Sequence, residues 1–140
     1  MSRDALIDAL NDQLSAEYQA IIQYIQYSAV VTGPHRPELV TFFRAEIPDE
    51  QSHAQYLADK IAALGGTPTT VAKPVPTAST PRELLQNVLE AEEQAIAAYT
   101  RLIKLADAAG EIGIRTQMEN FVQDETGHRD ETRKILQGGW

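Results

Sequence analysis

Two copies of one glutamate and histidine pattern stand out in this sequence as candidates for metal binding. Glu50 and His53 form one Glu-x-x-His motif, and Glu125 and His128 form the second. Residues three apart on a helix lie on the same face, so each motif can offer a carboxylate and an imidazole to one partner. Divalent metal ions are bound by donor pairs of this kind.

A single glutamate precedes each motif by the same interval. Glu17 lies 33 residues before Glu50, and Glu92 lies 33 residues before Glu125. Because the same donors recur at the same spacing, the chain repeats itself. The repeat predicts two similar helix pairs related by a pseudo-twofold axis through the site.

Tyr24 and Tyr99 extend this repeat, since each lies seven residues after its single glutamate and therefore two helical turns along the same face. Two interpretations stay open. The tyrosines are core aromatics whose hydroxyls bond a ligand carboxylate, or they are redox-active neighbours of a metal.

These charged residues interrupt the apolar stripes of the predicted helices and would face the core. Four buried carboxylates repel one another, and their burial is costly unless cations enter. Two divalent ions would balance the four charges. Carboxylates with one imidazole per ion suit iron or manganese and leave open positions for O₂ or peroxide. We predict a dinuclear, catalytic metal site with these ligands: Glu17, Glu50, His53, Glu92, Glu125 and His128.

Composition excludes several other functions. The chain has no cysteine, which excludes disulfides, iron–sulfur clusters and thiolate zinc sites. Its 20 acidic and 12 basic residues give a formal charge of −8, which repels nucleic acid. No run of about 18 apolar residues is present, and the start of the sequence lacks a signal-peptide pattern. We expect a cytoplasmic protein without a nucleic-acid or membrane partner.

Apolar periodicity and stop signals predict four long helices. Helix A covers residues 3–31 and ends before Gly33-Pro34, and helix B runs from Pro37 to Gly65-Gly66. Helix C begins after a capping box at Thr80 to Glu83, with Pro81 at its first position, and continues to Gly110. Helix D runs from about Glu111 to Gln137, before Gly138-Gly139 and Trp140.

The connections between these helices predict the topology. Residues 65–80 are rich in proline and small polar residues, which favours an extended crossover between helices B and C. Short A–B and C–D loops predict two antiparallel hairpins. The fold class is therefore all-α, a ferritin-like four-helix bundle with one long crossover, and residues 1–140 are expected to form a single domain.

With these motifs in place, the sequence resembles bacterioferritin and its ferritin-like relatives over nearly the whole chain. The resemblance implies bridging roles for Glu50 and Glu125, and terminal roles for Glu17 and Glu92. It implies imidazole ligands at the two histidines. Gln23-Tyr24 is similar to the Gln-Tyr pair of the family, and Asp49 is similar to an aspartate that binds iron on the inner surface.

The sequence also departs from bacterioferritins. Gln51 stands where they have a haem-ligating Met, so no haem is expected. The sequence ends at Trp140, without the fifth helix of 24-subunit ferritins. The resemblance then implies a homo-oligomer between a dimer and a twelve-subunit shell.

The resemblance implies a ferroxidase that binds two iron ions per subunit, or manganese in their place. It would oxidise Fe²⁺ to Fe³⁺ with O₂ or H₂O₂ for iron storage and detoxification. Two alternatives stay open. One is a di-iron or di-manganese oxidase or peroxide scavenger of the rubrerythrin type, without storage. The other is a structural helix bundle without metal, in which each Glu-x-x-His is an ordinary surface pair.

Overall fold

The computed structural model describes residues 2–138, and the helices in this range are α1 (Ser2–Val30), α2 (Arg36–Ala63), α3 (Pro81–Ala108) and α4 (Ile112–Gln137). No strand occurs in this range, which confirms the all-α prediction. Each helix begins within one residue of its predicted start. The predicted stop at Gly138-Gly139 and Trp140 extends outside the described residues. None of the four helices has the length and apolar character that a membrane span requires.

The two helix hairpins are antiparallel, as polar contacts at their open ends show. The Arg3 side chain at the start of α1 donates to the carbonyl of Leu64, just after α2. Arg82 at the start of α3 likewise donates to the carbonyl of Leu136 near the end of α4. Helix α1 packs along α2, α3 packs along α4, and α1 also contacts α3. This arrangement is the predicted bundle.

Glycines end α2 and α3 in the same way. Gly65 and Gly110 have positive φ angles of 94° and 73°. The next residue in each case donates its backbone N–H to a carbonyl five residues earlier, from Gly66 to Ile61 and from Glu111 to Ala106. This is the Schellman geometry, in which a residue without Cβ turns the chain sharply out of the helix.

The start of α3 shows the predicted cap. Thr80 is extended, and its hydroxyl accepts the backbone N–H of Glu83 at 3.1 Å, while the Glu83 carboxylate accepts from the Ser79 hydroxyl. Thr80→Ala would leave that N–H without its side-chain acceptor. We expect it to lower the free energy of unfolding by about 1 kcal/mol. Denaturant unfolding measures this, with Thr80→Ser as the control that keeps the cap and should match the unchanged protein.

The crossover, residues 64–80, follows α1 and is fastened to it by polar side chains of that helix. Asn11 donates to the Thr67 carbonyl and accepts from the Thr69 backbone. Gln19 donates to the Pro74 carbonyl, and Tyr27 donates to the Pro76 carbonyl at 2.6 Å. These bonds replace the regular backbone ladder that a proline-rich segment cannot form.

The core is divided along the bundle into two apolar clusters. One surrounds Leu10, Leu57 and Met118, and the other surrounds Tyr27, Phe43 and Leu85. Along each helix, the predicted metal ligands fall between residues of the two clusters. The fold therefore holds a polar layer inside an otherwise apolar core, where its position is fixed by packing on both sides.

Candidate metal centre

All six predicted ligands lie in this polar layer. The four glutamates and His53 are each at most 3% exposed, and the His128 side chain is 15% exposed. One glutamate comes from α1 and one from α3, whereas α2 and α4 each supply a glutamate and a histidine. The structure thus brings together Glu17, Glu50, His53, Glu92, Glu125 and His128.

Five of the six form two adjacent groups whose donor atoms fit a metal ion. The first group is Glu17, Glu50 and His53, and the second is Glu50, Glu125 and His128. Within each group the donor atoms lie within 4.8 Å of one another. Glu50 belongs to both groups. The two oxygens of Glu125 lie 3.6 Å from Nδ1 of His53 and 3.6 Å from Nδ1 of His128, so this carboxylate also faces both halves.

Glu92 stands slightly apart from these groups. Its Oε2 accepts from the Tyr24 hydroxyl at 3.4 Å, and it lines one cavity together with Glu17, Glu50 and Glu125. The role of Glu92 as a ligand stays a prediction, as do those of the other five residues.

Tyr99 fixes the other half of the layer. Its hydroxyl donates to Oε1 of Glu17, which also accepts from the Gln13 amide at 3.0 Å. The same hydroxyl lies 3.4 Å from Nδ1 of His53, whose ring stacks on Phe121 with centroids 3.9 Å apart. Tyr24 and Tyr99 therefore both meet a predicted ligand carboxylate across the α1–α3 contact, as the repeat suggested.

Each histidine also contacts an aspartate of the opposite motif. Nε2 of His53 lies 3.3 Å from Asp124, and Nε2 of His128 lies 3.4 Å from Asp49. Such contacts orient an imidazole and leave Nδ1 free for the carboxylate layer. Sequence reasoning missed Asp124. An available signal was that an aspartate directly precedes both Glu-x-x-His motifs.

A third group of possible metal donors joins His128 to α2. Nδ1 of His128 lies 2.8 Å from Oε2 of Glu46, and the ligand atoms of Glu46, Asp49 and His128 lie within 4.8 Å of one another. Glu46 was not among the predicted ligands, yet it is only 8% exposed. Its spacing of one turn before Glu50 places it on the same helix face and could have revealed it.

The electrostatics of the layer follow from burial and crowding. Burial raises the pKa of Glu92 to about 8. Burial, with repulsion from Glu17 and Glu125, raises the pKa of Glu50 well above its usual value. Burial opposes the charge on His128, but Glu125 and Glu46 outweigh it and raise the pKa of that imidazole to about 11. At neutral pH the layer without metal therefore retains protons that cations would displace.

The residues present suit a pair of divalent ions. Glu17 Oε2, Glu92 Oε1 and Glu125 Oε1 are buried and have no hydrogen-bond partner within residues 2–138. Buried carboxylate oxygens without partners are costly, and a cation would satisfy them. The donors are oxygen and imidazole nitrogen, without thiolate, which favours iron or manganese over a closed zinc site.

Comparison with known proteins gives the same architecture. The model of the ferritin-like domain family matches residues 7–139. A bacterioferritin from Streptomyces coelicolor is 32% identical over 126 residues, which span 89% of this chain and 75% of that protein.

Two solved structures are also similar. A ferritin-like diiron-carboxylate protein from Bacillus anthracis is 39% identical, with a TM-score of 0.96 over 97% of this chain and 98% of that one. The bacterioferritin-related protein from Bacteroides fragilis, a dodecameric thioferritin, is 26% identical, with a TM-score of 0.87 over 96% of this chain and 86% of that one.

Proposed function

This chain belongs to the ferritin-like domain family, and we therefore propose that it is a ferroxidase that oxidises Fe²⁺ to Fe³⁺ for iron storage and detoxification. The observation that carries the proposal is the buried layer in which Glu50 joins two groups of metal donors. A structural bundle would have no physical reason to bury four acids at one level of its core.

The geometry of the layer supports a set of ligand roles. Glu50 and Glu125 would bridge the two ions, because each faces both halves. His53 and Glu17 complete one half, whereas His128 and Glu92 complete the other. Two-metal centres hold their ions roughly 3.5–4 Å apart, so that one small oxidant can reach both ions.

In the proposed reaction Fe²⁺ is the reductant and each iron supplies one electron. With O₂, two Fe²⁺ and two protons give two Fe³⁺ and one H₂O₂. With H₂O₂, the O–O bond breaks, and two Fe²⁺ and two protons give two Fe³⁺ and two waters. The protein holds the two irons side by side and neutralises their charge. The released Fe³⁺ then moves to a mineral enclosed by a homo-oligomeric shell.

Anaerobic loading with Fe²⁺ followed by addition of O₂ tests this function. We expect rapid growth of near-ultraviolet absorbance, and after repeated additions far more than two irons per chain, co-eluting with a large assembly. Storage requires both a closed shell and retained iron. Size-exclusion chromatography with light scattering and iron analysis of the same fractions measures the two quantities together. Absence of oxidation would contradict the ferroxidase.

The alternative is a di-iron oxidase or peroxide scavenger without storage. A cavity of about 260 Å³ adjoins the polar layer, which is more room than O₂ requires and favours access of a polar substrate. This function predicts fast oxidation that saturates at two irons per chain in a species of one or two chains. The same fractions therefore distinguish the two functions.

A further inference from the structure

The cavity beside the polar layer lies between α1 and α3 and has a volume of about 260 Å³. Four buried glutamates, Glu17, Glu50, Glu92 and Glu125, contribute to its lining. Alanines of both helices also line it: Ala16, Ala20, Ala91, Ala95 and Ala98. A liquid water molecule takes up about 30 Å³, so the cavity accommodates a small polar molecule together with several waters.

Gln23 is the side chain of this cavity that neither packing nor the metal donors explain. It is 2% exposed, and its Nε2 is buried without a hydrogen-bond partner within residues 2–138. The other glutamine amides along the cavity are engaged: Gln13 donates to Glu17, Gln19 to the Pro74 carbonyl and Gln94 to Glu90. A buried amide N–H without an acceptor is costly unless a ligand or water supplies one.

Gln23 also lies where a second cavity meets the first. It lines this second space with Gln19, Gln94 and the crossover residues Pro74 to Pro76. The Lys73 ammonium of the crossover is paired with Asp12 at 3.1 Å beside the first cavity. The unpartnered amide therefore belongs to a residue that lines both the space beside the crossover and the cavity beside the carboxylate layer.

We propose that this cavity binds hydrogen peroxide and that Gln23 donates a hydrogen bond to it, which makes Gln23 a determinant of oxidant specificity. The proposal rests on the proposed ferroxidase function. H₂O₂ both accepts and donates hydrogen bonds, so it can accept from Nε2 of Gln23, the buried donor that metal binding leaves without a partner, while its own hydrogens face the polar lining of the cavity. O₂ has no hydrogen to donate and gains little from the amide.

The stoichiometry of the step is that given above: each of two Fe²⁺ loses one electron, the O–O bond of H₂O₂ breaks, and two protons from solvent complete two waters. Gln23 takes no part in electron transfer. It binds and positions the oxidant, so its removal acts on KM for H₂O₂ and not on oxidation by O₂.

Gln23→Leu tests the proposal, because leucine fills a similar volume without a donor. We expect KM for H₂O₂ to rise roughly tenfold with kcat nearly unchanged, and the rate with O₂ to stay within about twofold. Gln94→Leu is the matched control, since it alters a glutamine at the same cavity whose amide already has a partner. The proposal would be overturned if Gln23→Leu impaired oxidation by H₂O₂ and by O₂ equally, or if KM for H₂O₂ did not change.

A second measurement works without turnover. Zinc-loaded protein labelled with ¹⁵N-glutamine is titrated with H₂O₂ and followed by NMR. The side-chain amide signal of Gln23 is identified as the one that is missing from the spectrum of Gln23→Leu. We expect this signal to shift while that of Gln94 does not. No shift would mean that the amide binds water only. If the protein without substitutions oxidises no iron but this signal still shifts, the ferroxidase function is refuted, whereas binding of H₂O₂ at Gln23 is supported.

Discussion

Glu50→Ala is expected to slow the rapid oxidation of Fe²⁺ at least about 100-fold, because Glu50 is the one residue common to both groups of donor atoms. Without it the two ions lose a shared ligand and their spacing. Stopped-flow absorbance in the near ultraviolet, after mixing Fe²⁺-loaded protein with O₂, measures the rate. His128→Ala should act in the same direction, because it removes the imidazole of the second group.

Physical grounds argue against loss of folding as the source of that effect. Burial and repulsion from Glu17 and Glu125 raise the pKa of Glu50, so its charged form opposes folding. Removing this carboxylate lowers the electrostatic repulsion and the cost of burial in the metal-free layer. Glu119→Ala is the matched control, since it deletes an exposed glutamate of α4. Unchanged oxidation rates in both Glu50→Ala and His128→Ala would refute the proposed ligand set.

The helices could be predicted closely from the sequence because local signals determine them. Pro81 after Thr80 begins α3, and glycines at 65 and 110 adopt the positive φ angles that end α2 and α3. The carboxylate layer was predictable for a different reason. Isolated Glu-x-x-His pairs carry little information, but here the pattern repeats with the same spacing to a preceding glutamate.

The contacts between helices could not be predicted in the same way. Asp124 contacts His53, which is on α2, and Asp49 contacts His128, which is on α4. A spacing rule places residues on one helix face, but it does not say which residue of a neighbouring helix lies opposite. The spacing of Glu46 to Glu50 indicates its helix face, but its contact with His128 depends on how α2 meets α4.

The course of the crossover was also outside the reach of the sequence. Its prolines indicated an extended segment, yet its attachment to α1 depends on Asn11, Gln19 and Tyr27 at intervals along that helix. None of these residues has a distinctive pattern on its own. The cavity beside Gln23 is a product of that attachment and of the small residues on α1 and α3, and it emerges only in three dimensions.

The last prediction concerns the stability of the layer with and without metal. In metal-free protein the free energy of unfolding should fall as pH rises from about 5 to 8. Burial raises the pKa of Glu92 to about 8, so between its unfolded value of 4.5 and about 8 the folded state binds more protons than the unfolded state. The raised pKa of Glu50 likewise lowers the free energy of unfolding as pH rises. Stability therefore decreases with pH in this window.

His128 extends the trend to higher pH. Its pKa rises from 6.5 to about 11 because Glu125 and Glu46 outweigh the effect of burial. Protonation of His128 therefore contributes its full stabilisation below pH 6.5, and this contribution is lost as pH rises from 6.5 to about 11. Bound divalent metal should reverse the dependence below pH 8. Metal replaces these protons, so its affinity and the stability it adds increase as pH rises.

Melting curves from pH 5 to 8, in chelator and with saturating Zn²⁺ as a metal that O₂ does not oxidise, measure both slopes. We expect the melting temperature with Zn²⁺ to exceed that in chelator by an amount on the order of 10 °C at pH 8. The two values should converge toward pH 5. Glu92→Gln should raise the melting temperature of metal-free protein at pH 8 and reduce the gain from Zn²⁺, whereas Glu119→Gln should change neither. Parallel slopes with and without metal would mean that the buried acids do not bind cations, because displacement of their protons is what couples metal affinity to pH.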